Sequence, residues 1–191
     1  IGLMTKLFAD LVGEHGKVYS FEPTPKTFSV LKDTIKINDI EKIVSPIQQA
    51  VSDKKGTAIF NVSDVDIDAA NSLSNSTRNH ATSGIEVNIT SVDEFVKDMS
   101  ISKINFLKID AEGAEYYVLL GAKNTIEKHK PIINLALHPL ALTDFNSSLQ
   151  GIYDFVKNEN YKIIYKSNSI DEKDFVNHKN LFDVQLIPIT N

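Results

Sequence analysis

Two acidic residues stand directly after predicted strands, where α/β proteins usually bind their ligands. Glu22 ends the strand predicted at residues 17–21, and its carboxylate could accept hydrogen bonds from both hydroxyls of a ribose. Asp110 ends the strand predicted at 104–109, and Glu112 follows it before a helix begins. In a parallel sheet with helical crossovers, ligands bind beyond the carboxyl ends of the strands. The alternative for each acid is that it stabilises the N-terminal end of the next helix, and either acid taken alone leaves both interpretations open.

A histidine occupies the equivalent position after a third strand. His138 follows the apolar segment 131–137 and precedes Pro139, which places it at the same predicted edge and makes it a candidate proton acceptor. The alternative is a histidine that hydrogen-bonds a loop, and the pattern alone does not decide between the two. Four further histidines stand in polar or loop contexts and are predicted to face solvent: His15, His80, His129 and His178.

The sequence offers little that favours a metal. Asp64, Asp66 and Asp68 alternate along a polar segment, but that segment lacks the glycine and the distal glutamate of a calcium loop. A solvated loop is therefore the preferred interpretation. The chain has no cysteine, which excludes disulfides, thiolate metal sites and cysteine nucleophiles. We predict no metal site from the sequence.

Helices and strands alternate along most of the chain. Apolar residues recur at helical spacing in five segments, whereas eight shorter segments are rich in β-branched and aromatic residues. The predicted helices are 3–12, 25–38, 92–99, 115–129 and 149–158, and the predicted strands are 17–21, 43–51, 58–62, 85–89, 104–109, 131–137, 161–165 and 182–187. The strands at 104–109 and 131–137 are nearly continuous apolar runs, which is typical of central strands buried on both faces. The last two strands have only a polar connection between them, which favours an antiparallel pair.

This order predicts an α/β fold with a doubly wound, mostly parallel, Rossmann-like sheet and a C-terminal antiparallel strand pair. The length of 191 residues fits one domain over residues 1–191. Residues 57–90 are predicted to form an inserted hairpin with a mobile tip, because this segment is too short to build a core of its own.

Composition excludes several classes of protein. The formal net charge of −5 and the absence of a basic run disfavour a nucleic-acid substrate. No apolar run approaches the ~20 residues of a membrane helix, and the first residues do not have the pattern of a signal peptide. The lack of cysteine fits a reducing, cytoplasmic environment.

Three sequence blocks are distinctive: Phe21-Glu22-Pro23-Thr24-Pro25, Ala50-Val51-Ser52-Asp53 and the segment from Leu107 to Ala122. They resemble blocks of the FkbM-type family of Class I methyltransferases. The block that begins Phe21-Glu22-Pro23-Thr24-Pro25 resembles the family's FEPxPxxF block, and Ala50-Val51-Ser52-Asp53 resembles its AVSD turn. The most specific block runs from Leu107 to Glu115, continues to Ala122, and resembles LKIDVEGAE…LLGA. The blocks occur in the family's order from about residue 2 to residue 165.

The resemblance implies S-adenosylmethionine as the cofactor. It places Glu22 on the ribose hydroxyls and the segment Ala50, Val51 and Ser52 beside the adenine. It places Asp110 near the methionine portion of the cofactor and the methyl group. It also implies methylation of a hydroxyl, often on a glycan or a natural product.

A hydroxyl that is methylated must release its proton. His138, Asp110 and Glu112 are the candidate acceptors of that proton, and the three are predicted to form the catalytic group. Family members often carry an acid two residues before this histidine, whereas this sequence has Ala136. That difference weakens a base or metal role carried over from the family.

The chain begins with Ile1 and Gly2, which match only the end of a glycine-containing turn that follows the first strand in the family. We therefore expect the sequence to start just after that strand, with Gly2 as the remaining cofactor-binding residue of the turn. Without a central strand, the two neighbouring edges would be open. Weak cofactor binding and self-association through an open edge are the expected consequences.

Two other functions fit part of the pattern. A nicotinamide-dependent oxidoreductase would also use Glu22 on a ribose, although the terminal strand pair and the block at 107–115 favour methyl transfer. A non-catalytic binding module is the second alternative; the intact Glu22 and Asp110 argue against it. Acceptor contacts are expected from the polar loops 64–84 and 167–180, whose composition suits a hydrophilic acceptor such as a sugar, since loops on a rigid sheet usually supply such contacts.

Overall fold

The computed structural model describes residues 1–63 and 82–189. Within these ranges the chain forms two compact units. The first unit contains residues 1–50 together with the hairpin strands at 56–63 and 82–89, and the second contains residues 51–55 and 90–189. The predicted mobile tip of the hairpin and the three alternating aspartates lie outside the described residues. The single domain over 1–191 stays a prediction.

In the first unit, helices flank a pair of parallel strands. Helix α1 spans Leu3–Val12, strand β1 Val18–Phe21, helix α2 Pro25–Ile37 and strand β2 Val44–Ile47. Strand β1 pairs with β2 in parallel register from Val18 opposite Val44 to Phe21 opposite Ile47. The small core of this unit consists of Ala9, Leu31, Ile35, Ile40 and Val44.

A short strand and a hairpin follow. Strand β3 is only Ala50–Val51, so the strand predicted at 43–51 is divided in two. Strands β4, Gly56–Ser63, and β5, Thr82–Thr90, pair antiparallel, as the predicted hairpin requires.

The second unit contains a five-stranded mixed sheet. Its elements are α3 Val92–Asp98, β6 Phe106–Ile109, α4 Glu115–Leu120, α5 Lys123–His129, β7 Ile132–Leu137, α6 Pro139–Leu142, a 3-10 turn at Thr143–Phe145, α7 Leu149–Asn158, β8 Tyr161–Tyr165, β9 Asn168–Ser169, α8 Glu172–Val176 and β10 Phe182–Pro188. The strand order is β6-β7-β10-β8-β9. Strands β6 and β7 are parallel, whereas β10 is antiparallel to both β7 and β8.

One face of this sheet is covered by apolar side chains. Alternation places Val184 and Leu186 of β10 in the core and leaves Asp183 and Gln185 exposed, as the two-residue period of a strand requires. The same core takes in Leu119 from α4 and Ile152 from α7, both fully buried. Each such side chain contributes about 1.5–3 kcal/mol by its removal from water.

Three predictions about these elements are wrong in detail. The helix predicted at 115–129 is two helices, because the peptide N–H groups that open α5 bind a side chain from another segment, Asp93, instead of carbonyls of α4. Strand β6 is not buried on both faces, since Phe106 is 40% exposed and, among the described strands, only β7 pairs with it. The connection between β8 and β10 contains β9 and α8, where Phe175 of α8 is fully buried.

The described strands belong to three sheets of two, five and three strands. The predicted C-terminal antiparallel pair is confirmed, with Leu186 opposite Ile163. A single doubly wound sheet stays a prediction, as does self-association through an open edge. No helix within the described residues combines the length and apolar character needed to cross a membrane.

Candidate active site

Three of the predicted site residues lie together where β6 and β7 end. Because these strands are parallel neighbours, with Ile109 opposite Leu135, the residues after them emerge at the same edge of the sheet. Nε2 of His138 lies 3.4 Å from Oε2 of Glu112 and 3.8 Å from Oδ1 of Asp110. The predicted grouping of these three side chains is therefore present in the structure.

A fourth residue, which the sequence did not single out, holds the histidine from the other side. Oε1 of Glu115 lies 2.7 Å from Nδ1 of His138. The Glu115 side chain is fully buried, and both of its oxygens accept hydrogen bonds from the N–H of Gly113 at 3.0 and 3.1 Å. Two sequence signals were available: Glu115 ends the family-like block at 107–115, and it opens helix α4, where an acid usually faces solvent.

The loop between β6 and α4 has a tightly constrained backbone. Glu112 has φ of 49° and Gly113 has φ of 108°, both outside the range that most residues adopt. A Cβ atom on residue 113 would lie 2.8 Å from both Cβ and the carbonyl oxygen of Ala141. Only glycine fits at position 113. The loop therefore lies close against α6, and the side chain of Glu112 is directed toward His138.

The carboxylates around His138 change its protonation. Burial disfavours the imidazolium, but the hydrogen bond and the charge of Glu115, followed by the charges of Glu112 and Asp110, outweigh burial. The pKa of His138 is therefore raised above its ordinary value of 6.5. Neutral His138 is accordingly a stronger base than a free histidine side chain.

One lysine balances part of this negative charge. Nζ of Lys108 lies 3.5 Å from Oδ2 of Asp110 and 3.5 Å from Oδ1 of Asp183 on β10. The side chain of Asp110 is half exposed, whereas that of Lys108 is mostly buried. Asp110 thus faces open solvent on one side and the histidine on the other, which suits contact with a bound molecule.

The same three side chains could also hold a cation. Asp110, Glu112 and His138 offer ligand atoms that all lie within 4.8 Å of one another. Imidazole and carboxylate are ligand types that divalent transition metals accept. The sequence-based prediction of no metal site stays a prediction.

The predicted ribose ligand Glu22 is held in place by its own turn. Its Oε1 accepts hydrogen bonds from N and Oγ1 of Thr24 at 2.9 and 2.7 Å. Thr24 is the residue before α2, but its hydroxyl makes no capping hydrogen bond and donates to Glu22. The turn therefore orients the carboxylate before any ligand is present.

The remaining predicted cofactor residues have clear structural constraints. Gly2 has φ of 79°, and a Cβ there would lie 2.8 Å from Cγ2 of Thr34. Ala50 is buried. The N–H of Ser52 donates to the carbonyl of Thr90 at 2.8 Å, so this N–H is already used within the protein. Val51 is partly buried against the core of the second unit.

One histidine prediction is wrong. His129 is not solvent-facing but 3% exposed, and its Nδ1 accepts a hydrogen bond from the N–H of Ile104 at 3.0 Å. Burial, then the charges of Lys128 and Lys103, lowers the pKa of His129. His15 is exposed as predicted, and His80 lies outside the described residues.

Comparisons with known proteins identify the family. A family model described as the methyltransferase FkbM domain matches residues 2–163. The hexuronic acid methyltransferase AglP of Haloferax volcanii is 31% identical over 111 residues, which are 58% of this chain and 43% of that protein. The chain thus spans less than half the length of this relative.

Two solved structures share the fold. The methyltransferase FkbM of Methylobacillus flagellatus aligns with a TM-score of 0.57 at 14% identity, over 97% of this chain and 41% of that one. A proposed rRNA-methylase of Clostridium thermocellum aligns with a TM-score of 0.51 at 15% identity, over 100% of this chain and 82% of that one. The mixed α/β architecture is that of Rossmann-like methyltransferases, and with a match over residues 2–163 the chain belongs to the methyltransferase FkbM domain family.

Proposed function

We propose that this protein transfers a methyl group from S-adenosylmethionine to a hydroxyl of a glycan or natural-product acceptor. The observation that carries the proposal is His138 at the carboxyl end of β7, with Nε2 3.4 Å from Glu112 and 3.8 Å from Asp110. In a member of a methyltransferase family, this is the edge of the sheet where ligands are expected.

The proposed reaction requires the protein to align the acceptor hydroxyl with the methyl group and to provide a proton acceptor. S-adenosylmethionine, when bound, supplies an electrophilic methyl group on its sulfonium. When the methyl group is transferred to the hydroxyl oxygen and S-adenosylhomocysteine is released, Nε2 of neutral His138 would take the hydroxyl proton. The imidazolium that results is stabilised by the carboxylates of Glu112, Asp110 and Glu115.

Cofactor binding is proposed for the six residues predicted from the sequence. Glu22 would accept hydrogen bonds from the ribose hydroxyls through a carboxylate already oriented by Thr24. The segment Ala50, Val51 and Ser52 would border the adenine, and Asp110 would contact the methionine portion. Gly2 would allow close backbone approach, since its φ of 79° suits a residue without Cβ.

A sugar is the proposed acceptor class. The name of the relative from Haloferax volcanii specifies a hexuronic acid, so the methyl glycoside of glucuronic acid is the first acceptor to test. The methyl glycoside of glucose is the matched probe, because it has a hydroxymethyl group in place of the carboxylate. Transfer to the glucoside, detected by mass spectrometry, would assign methylation to a hydroxyl, whereas transfer to the glucuronoside alone, with a methyl group released by mild base, would assign it to the carboxylate.

Calorimetric titration with S-adenosylhomocysteine tests the cofactor. The protein should include any residues encoded upstream of Ile1, with the chain that starts at Ile1 titrated beside it. In Glu22→Gln the amide oxygen can still accept from Thr24, but a ribose hydroxyl meets an amide group instead of a carboxylate. Loss of one hydrogen bond to a charged group, about 1.5–3 kcal/mol, predicts affinity weaker by about 10- to 150-fold.

The matched control is Glu41→Gln, which makes the same chemical change at an exposed position of the same unit. It should bind like the wild-type protein. If the folded wild-type protein bound NAD but not S-adenosylhomocysteine, the oxidoreductase alternative would replace the proposal. Equal binding by Glu22→Gln and wild type would remove Glu22 from the site.

A further inference from the structure

Glu115 is buried more completely than its position predicts. It opens helix α4, where an acid is usually solvated and stabilises the helix end, yet its side chain is fully buried. Burying a carboxylate costs several kcal/mol unless hydrogen bonds and charges compensate for lost water. Here the compensation is two contacts with the Gly113 N–H and one with Nδ1 of His138. Because an apolar pair of similar size is often as stable, stability alone does not explain this arrangement.

The two ring nitrogens of His138 face different groups. Nδ1 lies 2.7 Å from Glu115, a distance that corresponds to a strong hydrogen bond to a charged acceptor. Nε2 lies 3.4 and 3.8 Å from the carboxylates of Glu112 and Asp110, which is too long for strong hydrogen bonds. The hydrogen bond at one nitrogen of a histidine determines which nitrogen carries the proton in the neutral ring. A carboxylate can only accept, so the proton of neutral His138 belongs on Nδ1.

We infer that Glu115 is a positioning residue that holds neutral His138 in the Nδ1–H tautomer and leaves the Nε2 lone pair free to receive the acceptor's proton. This inference rests on the proposed methyl transfer. Glu115 itself touches no reacting atom, because His138 lies between it and the open edge of the site. Gly113 supports the arrangement by donating to both oxygens of Glu115, which fixes the plane of its carboxylate.

The substitution that tests this inference is Glu115→Gln. Glutamine keeps the size of the side chain but offers one acceptor atom and a donor group. In a serine-protease triad, the corresponding change from Asp to Asn leaves the geometry intact, gives the wrong histidine tautomer and lowers kcat by about 10⁴-fold. For Glu115→Gln we expect kcat to fall by about 10²-fold, within the range of general-base catalysis. KM for the acceptor should change by less than about threefold, because ground-state binding is not altered.

The spectroscopic measurement needs no acceptor. Nitrogen-15 chemical shifts of the His138 ring, recorded in metal-free buffer at a pH where the ring is neutral, distinguish the Nδ1–H from the Nε2–H tautomer. The wild-type protein should show Nδ1–H, and Glu115→Gln should show a clear increase in Nε2–H. A wild-type ring in the Nε2–H form would overturn the inference even if no acceptor were ever methylated.

Two further variants distinguish a positioning role of Glu115 from a contribution of Glu115 to stability. Glu159→Gln neutralises another mostly buried carboxylate of the same unit, which pairs with Lys123 at 2.8 Å, and should leave both kcat and the tautomer unchanged. Adding Glu115→Gln to His138→Gln should cost little more than His138→Gln alone, because contacting residues that act as one unit are not additive. Full additivity, or an equal loss of kcat in Glu159→Gln, would show that Glu115 acts only through stability. S-adenosylhomocysteine binding without any methyl transfer by the wild-type protein would reject the proposed function separately.

Discussion

Replacing Gly121 with alanine should destabilise the second unit strongly. Gly121 lies between α4 and α5 with ordinary helical dihedral angles, so the effect of a Cβ there is purely steric. That atom would overlap the carbonyl oxygen of Ser52 and lie 2.9 Å from both Cα of Asp53 and Cβ of Ser91. Carbon atoms pack at about 3.5–4.0 Å, so the backbone segments must separate by roughly 0.6 Å or more.

The cost has two parts. Overpacking costs about 1–3 kcal/mol. Displacement also strains two backbone hydrogen bonds, from Ser52 N–H to Thr90 and from Asp93 N–H to the carbonyl of Gly121, both 2.8 Å long. At about 0.5–1.5 kcal/mol each, the total loss in the free energy of unfolding is about 2–6 kcal/mol. Because Ser52 belongs to the proposed adenine segment, affinity for S-adenosylhomocysteine should fall as well.

Urea denaturation followed by circular dichroism measures this loss, and Gly151→Ala is the matched control. A Cβ on Gly151 would lie 3.7 Å from its nearest neighbours, and alanine is the better helix former by about 0.5–1 kcal/mol. The same substitution should therefore stabilise the protein at 151 and destabilise it at 121. An unfolding free energy within about 0.5 kcal/mol of wild type for Gly121→Ala would refute the steric argument.

Two further predictions concern the same unit. Asp93→Ala removes the carboxylate that accepts from the N–H groups of Asn124 and Thr125 at 2.9 and 2.7 Å; the loss of this cap should cost about 1–2 kcal/mol in urea denaturation. His129 should make stability depend on pH, because its pKa in the folded protein is lowered from 6.5. As the pH falls, the unfolded chain binds a proton at this histidine before the folded protein does. The stability that is present above pH 6.5 is therefore lost as the pH falls below that value. In His129→Asn, whose amide oxygen can still accept from the N–H of Ile104, this pH dependence should be smaller.

Exposed positions provide the controls for these two predictions. Asp98→Ala removes an exposed acid that pairs with Lys55 and should leave the urea midpoint nearly unchanged. His15→Asn removes an exposed histidine and should leave the pH dependence as it is. Equal losses in Asp98→Ala and Asp93→Ala would contradict the capping argument. Persistence of the full pH dependence in His129→Asn would assign it to other groups.

Local patterns in the sequence were sufficient to predict most elements. Helices α1 and α7 have the predicted bounds, because apolar residues at helical spacing and nearby Gly or polar residues define both ends. Ser91 caps α3 by accepting a hydrogen bond from the N–H of Glu94, and serine is a residue type that favours a helix start. The strand-end positions of Asp110 and His138 were also readable, since each follows an apolar run. Their proximity follows once two parallel strands are neighbours.

Other features depend on which segments meet, and no local pattern records that. The break between α4 and α5 exists because Asp93, from a helix that begins about thirty residues earlier in the chain, binds the N–H groups of Asn124 and Thr125. His129 looked like a polar helix end, but Ile104 and the surrounding chain bury it. The local sequence determines the spacing of apolar side chains, but it does not determine which other segment of the chain buries them.

The amino-acid order alone was enough to predict the family, most of the succession of helices and strands, and the candidate residues Asp110, Glu112 and His138. It took the folded chain to show that Glu115 turns inward to His138 while Glu112 and Asp110 face the other ring nitrogen. All three acids have the same chemistry and stand within six residues of one another, so no local pattern could distinguish them. What separates their roles is the positive φ at Glu112 and Gly113, which turns one carboxylate into the core and leaves the others at the open edge.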